Sequence, residues 1–255
     1  MAFDASKFTA ETKPLPVILI LDTSGSMSSN MNGKTRIDHL NNAVKTMIDE
    51  FKNTVAKEVQ INFCAISFSN SPSIHVQMQP IDQVVWNDLH ASGGTELGIA
   101  LRMAKDMIEN KEIIPSRAYR PAVILVSDGE PFPNWEEPLK KFIEEGRSAK
   151  CDRMAMLIGD QNGAKAMNEF LKGSGNQLFF ADDAGSISNF FKFVTMTTKT
   201  RTLSQTPNTI VGMPAFDKKN LLQETVVGTF NPVTQTPSAP VTVVIPSSDD
   251  GDDDE

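Results

Sequence analysis

Residues 15–26 read LPVILILDTSGS, and they decide the fold class of this chain. Residues 15–21 form an unbroken apolar run, which is typical of a strand buried on both faces of a sheet. The run ends at Asp22, and a polar stretch rich in serine, asparagine and glycine continues to Lys34. A strand covered on both sides predicts a sheet with helices packed on each of its faces.

The rest of the chain alternates short apolar runs with amphipathic periodicity. Further strands are predicted at residues 60–69, 122–127, 153–159 and 177–180, and helices at residues 37–55, 97–108, 135–149, 164–171 and 187–194. Residues 73–80 alternate and lie between Pro72 and Pro80, which favours a short antiparallel edge strand. The fold class predicted is therefore α/β: a Rossmann-like, mostly parallel sheet with helices on both faces and one short antiparallel edge strand.

The predicted organisation is a single folded domain with extensions. We expect an N-terminal lead at residues 1–13, the domain at 14–202, a proline- and threonine-rich extension at 203–246 with one short strand at 241–245, and a disordered acidic tail at 247–255. Of the net charge of −8, six negative charges lie in the last seven residues, so residues 1–248 carry only −2. This balance argues against a nucleic-acid partner, which would need a clustered basic face.

The chain carries no pattern that predicts export or membrane insertion. The first residues lack the apolar core of a signal peptide, and no stretch approaches the roughly 18 apolar residues of a membrane-spanning helix. Cys64 and Cys151 lie in apolar runs, so we expect buried free thiols. Together these features predict a protein of the reducing cytoplasm with no membrane contact.

Three polar loops follow predicted strands, at residues 22–26, 93–95 and 127–129. In an open α/β sheet, ligands bind outside the carboxyl ends of the strands, so these loops are expected to converge. The candidate residues of the resulting site are Asp22, Ser24, Ser26, Thr95 and Asp128.

The candidate side chains offer two carboxylates and three hydroxyls, without thiolate or imidazole. Such a donor set suits a hard divalent cation, Mg²⁺, Mn²⁺ or Ca²⁺, without choosing among them. Each piece alone has a simpler interpretation. Asp128 with Gly129 is a common turn, and Thr95 is also a candidate N-cap of the helix that follows it.

The combined pattern Asp22-x-Ser24-x-Ser26, Thr95 and Asp128-Gly129 resembles the metal-ion-dependent adhesion site of the von Willebrand factor A superfamily, over roughly residues 14–200. The segments LDTSGSM, SGGTELG and LVSDGEP resemble most the bacterial intracellular TerY-like proteins associated with tellurite resistance. The resemblance implies a metal-dependent adaptor in a bacterial stress-response system such as tellurium resistance or phage defence. It also implies a protein partner, kinase- or phosphatase-like, that supplies an acidic residue to the metal. In the family, a change of metal ligands can couple to movement of the last helix, here residues 187–194, and the sequence leaves open whether this helix moves.

Catalysis is not expected, because the sequence lacks a phosphate-binding loop, a nucleophile elbow and an Asp-x-Asp-x-Thr phosphatase start. Two alternatives stay open. One is a metal-independent scaffold that binds through the loops bearing Trp86 and Trp135 or through residues 203–246. The other is a metal-dependent hydrolase, for which the sequence offers no evident general base.

Overall fold

The computed structural model describes residues 12–53, 59–159, 161–204, 206 and 208, all within the compact unit Met1–Ala215. The strands are β1 (Lys13–Asp22), β2 (Asn30–Met31), β3 (Lys34–Thr35), β4 (Val59–Phe68), β5 (Ser73–Pro80), β6 (Ala122–Ser127), β7 (Asp152–Ile158) and β8 (Phe179–Ala181). The helices are α1 (Arg36–Lys52), α2 (Leu97–Glu109), α3 (Glu136–Glu144), α4 (Ala164–Leu171) and α5 (Ala184–Leu203). Within these described ranges, no helix combines the length and apolar character needed to cross a membrane.

Six strands form the main sheet, in the order β5-β4-β1-β6-β7-β8. Strands β4, β1, β6, β7 and β8 pair in parallel, whereas β5 pairs with β4 in the antiparallel direction at one edge. The predicted α/β class is confirmed, including the antiparallel edge strand.

The order of the strands places a topological switch point beside β1. The chain leaves β1 through α1 to reach β4 on one side, and later passes through α2 to reach β6 on the other side. Helices α1 and α2 pack on opposite faces of the sheet. The carboxyl ends of β1 and β6 therefore border the crevice where α/β proteins bind ligands.

Strand β1 is buried on both faces, which explains its unbroken apolar sequence. Val17, Leu19 and Leu21 point into the core formed with α1 and α5. Ile18 and Ile20 point into the opposite core, formed with α2, α3 and α4. Because alternate side chains enter two separate cores, β1 is held firmly, and so is the loop that follows it.

Two local features differ from the expectation. The polar stretch after β1 contains a small hairpin of β2 and β3, whose two-residue turn places Asn32 and Gly33 at positive φ values of 53° and 88°. The helix predicted at residues 135–149 is shorter, because α3 ends at Glu144 and Gly146 adopts a φ of +69° that no helix accommodates. A single 3₁₀ turn, Ser148–Lys150, follows it.

Some predictions fall outside the described residues. Val55, assigned to the apolar stripe of the first helix, is one of them, and the strand at 241–245 and the acidic tail at 247–255 are others. The lead at 1–13 and the extension at 203–246 are described only in small part. The domain boundaries accordingly remain predictions.

The two cysteines confirm their expected state. Cys64 and Cys151 are both buried and both free thiols. Burial raises the pKa of each thiol to about 12, so neither is a thiolate at neutral pH.

A capping box fixes the start of α1. The backbone N–H of Asp38 donates to Thr35 Oγ1 over 3.2 Å, and the backbone N–H of Thr35 donates to Asp38 Oδ2 over 3.1 Å. These reciprocal bonds satisfy backbone donors that a helix otherwise leaves unpaired. Thr35 followed three residues later by Asp38 is itself the sequence pattern of this box, with aspartate in place of the usual glutamate.

Replacing Thr35 by alanine removes the cap, so we expect Thr35→Ala to lower the free energy of unfolding by about 1 kcal/mol. Urea unfolding measures this change. Thr46→Ala is the matched control, because Thr46 is exposed in the middle of the same helix. An equal effect of the two substitutions would contradict the assigned role of the cap.

Candidate metal centre

Three loops meet at the carboxyl edge of the sheet, as the sequence predicts. The backbone N–H of Gly25, in the loop after β1, donates to the carbonyl of Gly93 over 2.9 Å. The backbone N–H of Phe132, in the loop after β6, donates to the carbonyl of Thr95 over 3.0 Å. The loop before α2 is thus fastened to both of the others.

Asp22 lies at the centre of this edge and is fully buried. Its Oδ1 accepts a hydrogen bond from the backbone N–H of Ser24 over 2.7 Å, and its Oδ2 accepts one from Ser127 Oγ over 2.5 Å. The donors come from the loop after β1 and from the end of β6, so Asp22 joins the two neighbouring strands.

The hydroxyls of Ser24 and Ser26 continue the network towards Asp128. The two Oγ atoms lie 2.9 Å apart, and Ser26 Oγ donates to Asp128 Oδ1 over 2.6 Å. Ser24 and Asp128 are buried, whereas Ser26 is exposed to solvent. Four of the five candidate residues therefore belong to one cluster of hydrogen-bonded side chains with a single exposed member.

Thr95, the fifth candidate, is held at the same edge through its backbone and is buried. Its predicted role as a helix N-cap is wrong, because α2 begins at Leu97 and the N-cap position belongs to Glu96. The backbone that leads to Thr95 needs glycine at two positions. Gly93 has a φ of +78°, and a Cβ on Gly94 would collide with the ring of Phe132.

Two residues of the cluster are missing from the sequence-based candidate set. Arg36, the first residue of α1, donates from Nη1 to Asp128 Oδ2 over 2.7 Å. Ser127 supplies the second donor to Asp22. A signal for Arg36 was available, because a cation in the first turn opposes the helix dipole and so calls for an anionic partner. A signal for Ser127 was also available: it ends a buried strand, and a buried polar side chain needs a hydrogen-bond partner.

Burial dominates the electrostatics of Asp22 and raises its pKa from 3.8 to about 6. The hydrogen bonds from Ser127 and Ser24 oppose this shift, and the negative charge of Asp128 adds to it. The ionised form of Asp22 is thus poorly stabilised by the protein alone, and a cation at this edge would stabilise it.

The donor set fits a hard divalent cation, since the five candidates offer only oxygen atoms and two of them carry negative charge. Within the described part of the chain, no group of three or more histidine, cysteine, aspartate and glutamate residues is placed to hold a metal. A site built here would therefore rely on hydroxyls as much as on carboxylates. Such a ligand set leaves a bound ion incompletely neutralised.

The two tryptophans have packing roles. Trp135 is buried, and its Cα lies against the start of α2 beside Gly98. Trp86 packs against the opposite core, and its Nε1 donates to Asn41 Oδ1 over 3.2 Å. Trp135 is thus unavailable as a surface contact.

Comparison with known proteins identifies similar domains and folds. Residues 17–130 match the family model described as von Willebrand factor type A domain, a range that holds all five candidate residues. No curated protein sequence matches the chain significantly. Residues 17–130 are thus similar to von Willebrand factor type A domains, and the structural neighbours show the same fold.

Solved structures match over most of the described fold. A von Willebrand factor type A protein from Catenulispora acidiphila is 18% identical with a TM-score of 0.57, over 72% of this chain and 42% of that one. Proximal thread matrix protein 1 from the mussel byssus, with a zinc-occupied MIDAS motif, is 18% identical with a TM-score of 0.53, over 75% and 46%. BatB from Bacteroides thetaiotaomicron is 16% identical with a TM-score of 0.51, over 71% and 96%. This chain thus spans less than half the length of the first two, and identities this low establish the fold alone.

The raised pKa of Asp22 predicts a pH dependence of stability in chelator-treated protein. A carboxyl whose pKa rises on folding favours the folded state below about pH 4, and this contribution is lost as the pH rises through about 6. Asp22→Asn keeps the shape but cannot ionise. We expect it to be more stable than wild type at pH 7, by on the order of 3 kcal/mol, and to lack the decline between about pH 4 and 6.

Urea unfolding across this pH range measures the effect, with Asp49→Asn, an exposed position of α1, as the control. If Asp22→Asn and wild type lost stability in parallel from pH 4 to 7, ionisation of Asp22 would not be the cause.

Proposed function

We propose that this protein is a divalent-metal-dependent protein-binding module. Asp22, Ser24, Ser26, Thr95 and Asp128 would hold the metal. The observation that carries the proposal is the cluster of oxygen-bearing side chains around buried Asp22, at the switch point of a von Willebrand factor A-type sheet.

The chemistry of the site follows from its neutral ligands. When bound, the metal would supply an electrophilic centre able to accept a carboxylate from a partner protein. Ser24, Ser26 and Thr95 bring no charge, and Arg36 already offsets the charge of Asp128. The site therefore neutralises little of the charge of a divalent ion, and an acidic residue of the partner would complete the coordination shell of that ion.

An exposed aromatic residue supports a protein partner. Phe132 follows the Asp128 loop, is 45% exposed, and lies over Gly94 beside the Thr95 loop. Aromatic side chains are common contributors to protein–protein binding energy. The partner would thus present an acidic residue next to an apolar one.

The ion we propose is Mg²⁺, with Mn²⁺ or Ca²⁺ as substitutes, because all five ligands offer hard oxygen atoms. The zinc-occupied motif of the mussel protein adds Zn²⁺ to the ions worth testing. Zinc generally prefers nitrogen and sulfur ligands, so we expect it to rank below the others here.

We further propose that the protein acts without catalysis. Asp22 and Asp128 would hold the metal, and the remaining candidate residues, Ser24, Ser26 and Thr95, are neutral hydroxyls. The candidate set therefore offers no separate general base to activate water beside the ion.

The biological setting is proposed from the resemblance to TerY-like proteins alone. It is a bacterial stress-response system such as tellurium resistance or phage defence, with kinase- or phosphatase-like partners and no contact with nucleic acid or membrane. The free thiols of Cys64 and Cys151 agree with a reducing cytoplasm.

Metal binding is tested by isothermal titration of Mg²⁺, Mn²⁺, Ca²⁺ and Zn²⁺ into chelator-treated protein. We expect wild type and the control Asp49→Asn to bind, and Asp22→Ala to lose binding by about a hundredfold, the upper end of the range for residues that merely support a ligand, because it removes the central carboxylate. Undiminished binding in Asp22→Ala would place the metal elsewhere.

Partner binding is tested by capture from an extract of the cells that produce the protein, with and without chelator. We expect a specific partner to be retained by wild type in Mg²⁺ and released by chelator. Asp128→Asn should fail to retain it, since it removes a charge from the cluster but keeps its size. Equal capture by wild type, Asp128→Asn and chelated protein would instead favour the metal-independent scaffold.

A further inference from the structure

The guanidinium of Arg36 occupies one side of the candidate metal site. Its Nη1 donates to Asp128 Oδ2 over 2.7 Å, while the other oxygen of Asp128 accepts from Ser26. The side chain of Asp128 is fully buried and that of Arg36 is 20% exposed, so water does little to screen this pair.

We propose that the positive charge of Arg36 limits the affinity of the site for its metal. The arginine keeps one oxygen of Asp128 engaged and places a permanent positive charge beside the ion. This inference rests on the proposed function, because it concerns the same site.

The fold is shaped to hold the guanidinium in place. Gly159 follows β7 with a φ of +86°, and a Cβ at this position would collide with Arg36 Nη2. Glycine is therefore required here both for backbone conformation and for the space that the arginine fills. At the other end, the Thr35–Asp38 capping box fixes the backbone from which Arg36 extends.

The pair is not arranged for maximum stability of the fold. An arginine and a carboxylate bind most strongly through two parallel hydrogen bonds, whereas Asp128 receives a single one from Arg36. Among the described residues, the buried Nε of Arg36 finds no hydrogen-bond partner. Arg36 also lies in the first turn of α1, where the helix dipole disfavours a cation. A role of the arginine in setting the metal affinity of the site would explain why these unfavourable features are present.

The charges of the site give the expected direction of the effect. With Asp22 ionised, the two aspartates carry −2 and Arg36 carries +1, so the protein offers a dication a net charge of only −1. Without the arginine, the same ligands would offset the dication fully. Removing the positive charge should therefore strengthen metal binding, even though it also removes the hydrogen bond from Arg36 to Asp128.

The test is titration of Mn²⁺ into chelator-treated wild type, Arg36→Gln, Arg36→Met and Arg36→Lys, with Asp22→Ala as the negative control. Even with the full dielectric screening of water, a unit charge one carboxylate away from a divalent ion changes affinity by about tenfold, and weaker screening makes this value a minimum. We expect Mn²⁺ binding in Arg36→Gln and Arg36→Met to be tighter by about tenfold or more. Arg36→Lys keeps the charge and should bind within about twofold of wild type.

Several results would overturn the inference. Unchanged or weaker binding in both neutral variants would mean that Arg36 merely orients Asp128. If circular dichroism showed that both neutral variants fail to fold, the arginine would serve the fold. In either case the proposed function would stand, provided that wild type binds Mn²⁺ and Asp22→Ala does not. Absence of binding in wild type and in every folded Arg36 variant would overturn both proposals together.

Discussion

The burial of the Asp22 carboxylate at the end of β1 is the constraint around which this edge of the protein is organised. Both faces of β1 are covered, and the strand delivers Asp22 to a place that solvent does not reach. A buried carboxylate is costly unless donors surround it. The donors arrive from Ser24 directly after β1 and from Ser127 at the end of β6. The pairing of two central strands and the satisfaction of one charge are therefore linked.

The same constraint accounts for the composition of the cluster. Two carboxylates connected through Ser24 and Ser26 repel each other, and Asp128 contributes to the raised pKa of Asp22. Hydroxyls bridge the two charges without adding a third, and Arg36 offsets one of them. More carboxylates would bind a metal more tightly but would be harder to bury in its absence. If the cluster holds a metal, its many hydroxyls and one internal cation would be a compromise between the stability of the metal-free fold and affinity for the ion.

The sequence predicted those features that depend on local order along the chain. The apolar run of residues 15–21, the Thr35–Asp38 capping box and the edge strand between Pro72 and Pro80 all follow from neighbouring residues. The hairpin of β2 and β3 is not among the predicted elements although Asn32 and Gly33 are typical of its turn, because the surrounding polar stretch shows no alternation of apolar residues. The predicted helix at 135–149 runs past Gly146, although a glycine at that point is a local signal for the end of a helix.

For the site, the spacing of Asp22, Ser24 and Ser26 predicts one loop, and the positions of Asp128 and Thr95 predict where the others meet it. Spacing does not predict the partner of Asp128. Arg36 is 92 residues away in sequence, and the pattern of its helix α1 is already explained by packing in the core. A cation in the first turn of a helix is nevertheless at odds with the helix dipole. Such a conflict between a residue and its local structure indicates that a tertiary contact has prevailed. In sequences with an Asp-x-Ser-x-Ser loop, the first turn of the following helix is therefore worth inspecting. A cation there is a candidate for a residue that changes the metal affinity of the site without binding the ion.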